Sequence, residues 1–542
     1  MSDPGNSFAA SNSCVSSWQT AGGGLRVGAA REAIELPRQQ AGFPSCQDVL
    51  WTTPKHRSQA AAGANMRIER NPQTRQHERV QTDSSRIFLG LLLGSLSTGI
   101  FAQELWLTNP DKTALFQKQK APLTFAVATN EHPTIVVDDS KTYQTIDGFG
   151  FTLTGGSAMH IIRMAPAARA ALLRELFATD GTNIGTSYLR LSIGASDLNE
   201  RVFSYNDLPP GEADPEMKKF NLGPDHADVI PVLKEILAIN PAIKLMGSPW
   251  SAPTWMKTTN DTRGASLKPE FHDAYAKYLV KYIQTMKAEG IRIDAITVQN
   301  EPLHPGNNPS MFMSAEQQAT FIQRSLGPAF AAAKLDTKII IYDHNCDRPD
   351  YPLAILNDPE AAKYVDGSAF HLYGGKIEAL STVHDAHPDK KIYFTEQWVG
   401  APGNLRKELI FHVRELIIGA TRNWSRTVLE WNLAANSRWE PHTDRGGCDR
   451  CLGAVTIEGN TVTRNPAYYI IAHAAKFVRP GSVRIASNTL PAVPNVAFKT
   501  PDGRHVLILL NNSETRRSFN ILHQGKLATS TLNGNAVGTL VW

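Results

Sequence analysis

The chain carries little excess charge of either sign. Lys and Arg number 55 against 51 Asp and Glu, a formal net charge of +4 over 542 residues. Such a balance offers no basic field to hold a nucleic acid, so no nucleic-acid partner is expected. Cysteine is scarce, with five residues, which excludes a scaffold built on disulfides. Long apolar runs are scarcer still. IFLGLLLGSLSTGIFA, from Ile87 to Ala102, has 16 residues, short of the roughly 20 that a membrane-spanning helix needs. No later stretch is long and apolar enough, so no stable membrane span is expected. Residues 1–85 lack any sustained apolar period. They are rich in Ser, Ala, Gly, Gln and Arg and read as disordered.

The run from 86 to 102 follows Arg75, Arg79 and Arg86 and ends in small residues, the layout of a secretory signal peptide cleaved after Ala102. A signal of this kind belongs at an N-terminus, so translation is expected to start near Met66. The alternative is a retained signal anchor. The first reading makes the protein secreted or periplasmic.

What the chain does have begins after the run. Short β-type stretches, such as TFAVA and TIVV, run from about 124 to 144, within a region 103–146 that reads as N-terminal strands. From 147 to 480 short apolar strands alternate with amphipathic helices. The strands are DGFGFTL, SYLRLSIG, IKLMGSPW, DAITVQNEP, KIIIYDHN, GSAFHLYG, KIYFTEQW and RTVLEWNLA. Helical spacing covers 165–177, 227–239, 269–289, 314–333, 353–364, 405–420 and 466–478. Eight strands with helices between them predict an α/β fold, a (β/α)₈ barrel. From 481 to 542 helices stop, and VRIAS, VAFKT, HVLILLNN, RSFNIL and GTLVW read as antiparallel strands. The early strands are expected to join them in a side β-sandwich made from both chain ends.

In such a barrel the chemistry sits at the C-terminal ends of the strands. The fourth strand ends in Asn300 and Glu301, the seventh in Glu396, and the second is followed by Asp197. Trp250 ends the third, His371 and Tyr373 the sixth, Glu430 and Trp431 the eighth. Two carboxylates on opposite walls of one barrel mouth are what glycosidic cleavage requires: one protonates the leaving oxygen, the other attacks the anomeric carbon or activates water. Trp and Tyr suit the apolar face of a sugar ring. A single glutamate is more often a salt-bridged surface residue; a pair at two strand ends, each within an apolar run, is not. Glu430 competes for a role, with a structural partnership to an Arg as its bland reading.

Five stretches, YQTIDGFGFTLTGGSA, YLRLSIGASDL, LMGSPWSAPTWMKT, ITVQNEPLHPGNNPSM and YFTEQWVG, are together similar to glycoside hydrolase family 30, the glucosylceramidase and β-1,6-glucanase family. LEWNLAAN and RNPAYYIIAHAAKFVRPGS extend the likeness. The resemblance implies a barrel with a side β-sandwich and retaining hydrolysis of β-glucosides. It implies Glu301 as acid/base and Glu396 as nucleophile. It places Asp197, Trp250, Asn300 and Trp431 in a glucose pocket and Arg190 beside the nucleophile. His371 and Tyr373 complete the expected substrate-binding set. GFGFTLTGGSA resembles bacterial members related to β-1,6-glucanases.

The expected function is therefore a secreted retaining β-glycosidase acting on β-glucosides, of glucosylceramidase type. The alternatives are an endo-β-1,6-glucanase acting on polysaccharide and an inactive carbohydrate-binding barrel. The expected partner is a β-glucan or glucoside substrate, with no cofactor and no metal. A metal-dependent hydrolase would need a His and Asp cluster at strand ends. His304, His371 and His442 read instead as polar residues lining a sugar cleft. Cys448 and Cys451 form a lone CxxC without the second pair that zinc needs. A disulfide between two of Cys346, Cys448 and Cys451, or free thiols, remain open.

Overall fold

The computed structural model describes residues 103–120 and 123–542. The expected disordered stretch 1–85 and signal peptide 86–102 lie outside the described residues. Eight parallel strands close a barrel: β1 Gly148–Leu153, β2 Tyr188–Ile193, β3 Lys244–Pro249, β4 Ala295–Thr297, β5 Lys338–Cys346, β6 Val365–Gly375, β7 Lys391–Glu396 and β8 Ser425–Glu430. Each pairs with its neighbour in chain order, and β8 returns to β1 through Val428↔Phe149. Their near-continuous apolar character follows from burial on both faces, against the barrel interior and against the helical ring.

Period-two alternation decides which side chains enter the barrel. Tyr188, Met246, Ala295, Ile340, Ala369, Tyr393 and Leu429 form a cluster separate from the main core. Seven strands of a closed barrel can share such a cluster only inside it. Leu189, Leu191, Ile296, Phe370 and Phe394, one position away, join the outer core with the helices. Arg190 and His371 therefore share the inward parity of Tyr188 and Ala369.

The helices differ from the expected ranges where proline intervenes. The expected helix 353–364 is two helices, Asp350–Leu356 and Pro359–Ala362, because Pro359 starts a new helix capped by Asp358. The helix from Ala315 widens into a π-helical segment at Ile322–Leu326 before Gly327–Ala332. Pro328 lacks the N–H that an ordinary turn needs there. Two helices went unpredicted, Gly155–Arg163 and Ala379–Ala386. The first opens on Gly155 and Gly156, poor helix formers demanded by close packing: a Cβ on Gly155 would lie 2.0 Å from Asn199 Nδ2.

Nine further strands form one continuous hydrogen-bonded sheet. Thr134–Thr145 pairs antiparallel with Val483–Ser487 and parallel with Arg517–His523. Glu104–Thr108, a strand the sequence did not reveal, pairs with Val537–Val541. Ile135, Leu509, Phe519, Ala528 and Leu540 share one core cluster, so the sheet folds over into two facing layers. Gln117–Lys118 and Lys526–Leu532 are further unpredicted strands of the sheet. TFAVA is not a strand; it adds a single bridge, Ala126↔Leu527, at the sheet edge. His473, on helix Pro466–Ala475, ties this unit to the barrel. Its ring nitrogens lie 2.8 Å from Thr108 Oγ1 and 2.9 Å from Thr539 Oγ1. Burial pulls its pKa down to about 3, so the ring is neutral.

Candidate active site

The floor of the barrel mouth is an ionic network around two fully buried residues, Arg190 and Asp343. Arg190 donates to Asp343 Oδ2 at 2.6 Å, to Glu396 Oε2 at 2.5 Å, to Asn300 Oδ1 at 2.7 Å and to Ser248 Oγ at 3.0 Å. Asp343 also accepts from Thr297 at 2.7 Å and Thr395 at 2.6 Å. Burial alone would raise its pKa, but Arg190 and His371 outweigh that and hold it well below the carboxylate range. Asn300 reaches Arg190 through its carbonyl, and among the described residues nothing accepts from its amide nitrogen.

Asp343 did not figure among the expected site residues, and the reason is local. Ile340 faces the interior, so strict alternation would turn Tyr342 inward and Asp343 outward. The backbone of both is left-handed, with φ of 72° and 63°. The pairing of β5 with β6 slips between Tyr342 and His344. This bulge sends Tyr342 to the outer core and swings Asp343 under the site. A carboxylate inside the apolar run KIIIYDHN was the available signal. His344, next in line, is another residue the sequence reading missed. Its Nδ1 lies 3.9 Å from Glu301 Oε1, and burial pulls its pKa down to about 4.

Glu301 and Glu396 meet above this floor. An oxygen of each and a ring nitrogen of His371 lie within 4.8 Å of one another. His371 Nδ1 is 3.2 Å from Glu301 Oε1 and 3.7 Å from Glu396 Oε1, while its Nε2 is 3.1 Å from Asp343 Oδ1. Burial works against a charge on His371, but Glu396, Asp343 and Glu301 push its pKa up to about 9. At neutral pH both ring nitrogens then carry protons. Burial raises the Glu396 carboxyl, with the Glu301 charge adding to it and His371 and Arg190 opposing. Burial acts on Glu301 too, but the hydrogen bond and charge of His371 carry it below the usual glutamate value. Tyr373 donates to Glu396 Oε1 at 3.0 Å.

A cleft of about 420 Å³ is lined by Asp197, Trp250, Glu301, Tyr373, Glu396 and Trp431, together with His304, Asn307, Asn345 and Trp398. Trp250 and Trp431 pack with ring centroids 5.3 Å apart, and Arg190 lies under Trp250 at 4.9 Å. Among the described residues the Trp250 indole N–H has no partner. Asp197 is buried, and burial with the charges of Glu396 and Glu301 pushes its pKa up to about 7. Arg190 and His371 lie beneath the carboxylates and not on the cleft wall, so their contacts are to Glu396 and Glu301. His442 binds the Thr443 carbonyl and is not part of the wall.

Glu430 follows the inward Leu429 and faces outward. Its Oε1 lies 2.7 Å from Nδ1 of His412, on helical segment His412–Ala420. The structural partner is thus a histidine, not an arginine. Cys448 and Cys451 are joined by a disulfide, and Cys346 is a buried free thiol.

Comparison with known proteins agrees with this architecture. Residues 146–478 match the glycosyl hydrolase family 30 TIM-barrel domain, and residues 481–540 its beta-sandwich domain. Endo-1,6-beta-D-glucanase neg1 of Aspergillus fumigatus is 36% identical over 404 residues, covering 70% of this chain and 81% of that protein. The lysosomal acid glucosylceramidase of Mus musculus is 30% identical over 408 residues, covering 70% and 77%. The solved structure of the endo-β-1,6-glucanase BT3312 has 35% identity and a TM-score of 0.76, covering 81% of this chain and 99% of that one. The chain belongs to glycoside hydrolase family 30 and is a glycoside hydrolase.

Proposed function

We propose that the protein is a secreted, retaining endo-β-1,6-glucanase. The observation that carries the mechanism is the approach of Glu301 and Glu396 within 4.8 Å. Retaining enzymes hold their carboxyl groups about 5–5.5 Å apart, whereas inverting ones leave room for a water. Glu396 is the nucleophile: Arg190 and Tyr373 fix both its oxygens and stabilise its charged form. Glu301 is the acid/base. The Glu301–His371 pair holds one proton beyond a carboxylate and a neutral imidazole, and the leaving oxygen takes that proton. Once Glu396 is glycosylated its charge is gone, and Glu301 then accepts a proton from the attacking water. Asn300, its carbonyl held by Arg190, has its amide nitrogen free to donate to the sugar 2-hydroxyl.

Two features favour a glucan over a glycolipid, the aglycone first expected. The relatives include endo-1,6-β-glucanases at 36% and 35% identity. The cleft lining includes His304, Asn307, Asn345, Tyr373 and Trp398, polar and flat aromatic groups that suit sugars. The disulfide fits an oxidising compartment and so supports secretion. Products from β-1,6-glucan, β-1,3-glucan and glucosylceramide, compared side by side, test the reading. Oligosaccharides of retained configuration from β-1,6-glucan are expected. Faster release of ceramide would overturn it.

A further inference from the structure

The disulfide lies in the wall of the cleft, and the proposed chemistry gives it no part. Cys448 and Cys451 both border the cavity beside Asp197. Cys451 belongs to one buried cluster with Trp250, Trp431 and Leu198. Its backbone pairs with Gly400, four residues past the nucleophile. The backbone N–H of Cys448 faces the Asp197 carboxyl. Five residues earlier, Thr443 N–H donates to the Asp197 carbonyl at 2.9 Å. The loop carrying the disulfide therefore grips Asp197 from two sides. Among the described residues no other side chain hydrogen-bonds the Asp197 carboxyl, which leaves it open to hydroxyl donors from the cleft.

We propose that the Cys448–Cys451 disulfide is a substrate-positioning element: it fixes Asp197 against the sugar, and a dithiol reductant that opens it weakens binding without removing the catalytic carboxylates. This rests on the reading of the cleft as a glucose site. The step is a two-electron reduction. The S–S bond breaks, two thiols form with two protons, and the dithiol closes to its own disulfide. Cys448 is half-buried where it borders the cleft, within reach of a small reductant. Cys346 does not compete: it is buried, and burial raises its pKa well above the usual thiol value. Once the ring opens, the segment between the two cysteines regains backbone freedom, and the Cys448 N–H is no longer held toward Asp197.

The test compares the untreated protein, the dithiothreitol-treated protein and Cys448→Ser/Cys451→Ser on β-1,6-glucan, with thiol titration to show that two thiols appear. KM is expected to rise about tenfold with kcat little changed, the size of one lost hydrogen bond. In Asp197→Ala, where the acceptor is absent, reduction should no longer move KM; a general loosening of the fold would still do so. If reduction does not reach the bond, the double serine variant carries the same expectation. If that variant fails to fold, the reduced wild type does. Affinity for an iminosugar of gluco configuration, measured by calorimetry, reads the proposal without turnover. A protein that ignores β-1,6-glucan but binds the iminosugar more weakly when reduced would refute the glucanase and keep the disulfide role. Unchanged KM and iminosugar affinity, with both thiols titrated, would overturn the proposal.

Discussion

At the scale of single residues, the two glutamates should separate by leaving group. Glu396→Ala should abolish turnover of every substrate. Glu301→Ala should slow hydrolysis of glucan by about 10²–10⁴-fold, yet an aryl glucoside with an acidic leaving group should still glycosylate Glu396. Azide should restore turnover in the Glu301 variant with retained configuration, and give the inverted azide with Glu396→Ala. Product anomers by NMR would expose an exchange of roles. His371→Asn tests where the acid's proton is kept. With His371 pushed up to about 9, the alkaline limb of kcat/KM should fall near that pH and move downward in the variant. A limb that stays in place would assign the proton to Glu301 alone. Asp197 gives a stability prediction of definite sign. Its pKa is raised from 3.8 to about 7 in the fold, so between those values the native state binds more protons than the unfolded chain. Stability must then fall as pH rises through that window. Melting curves from pH 4 to 8 should show the slope, and Asp197→Asn should flatten it.

At the scale of elements, alternation explains most of the assignments and a bulge explains the exception. Arg190, His371 and Leu429 obey their strands, and Glu430 faces outward because Leu429 faces in. Its pairing with His412, which also meets Glu408 at 3.3 Å, ties β8 to the helix His412–Ala420. Glu430→Ala leaves a buried cation without its closest partner. It should cost about 3–5 kcal/mol of stability while folded protein keeps its turnover. Thermal unfolding and active-site-normalised rates would check both halves. Loss of turnover with unchanged stability would return Glu430 to the chemistry. The strand end that alternation misjudges is β5. Two left-handed residues there cannot be read from a pattern of apolar side chains, and so Asp343 was missed although its carboxylate was visible.

At the scale of the molecule, the sheet beside the barrel is closed by the segment before it. Trp106, 3% exposed, packs 5.5 Å from Phe477, and Glu104–Thr108 pairs along Val537–Val541. A protein starting at Gln103 should fold and hydrolyse substrate. One starting at Leu123 should lose about 3–5 kcal/mol from the missing Trp alone and melt at lower temperature; equal melting curves would deny that strand any structural role. The eight barrel strands, most of the helices and the placing of Glu301 and Glu396 at strand ends were legible in the residues alone. Those follow from periods of two and 3.6 residues and from side-chain type, which are local. Lys526–Leu532, alternating but poor in large apolar residues, lay below what such a pattern resolves. Which further side chains converge on that pair depends on the closed barrel. Arg190 and Glu396 are 206 residues apart in the chain and meet because the barrel closes. The slip of one residue in β5 fixes Asp343 beneath them, and the choice of Cys451 over Cys346 as the partner of Cys448 follows from where the loops end. Convergence of this kind depends on closure and register, and both are set by packing among all eight strands at once.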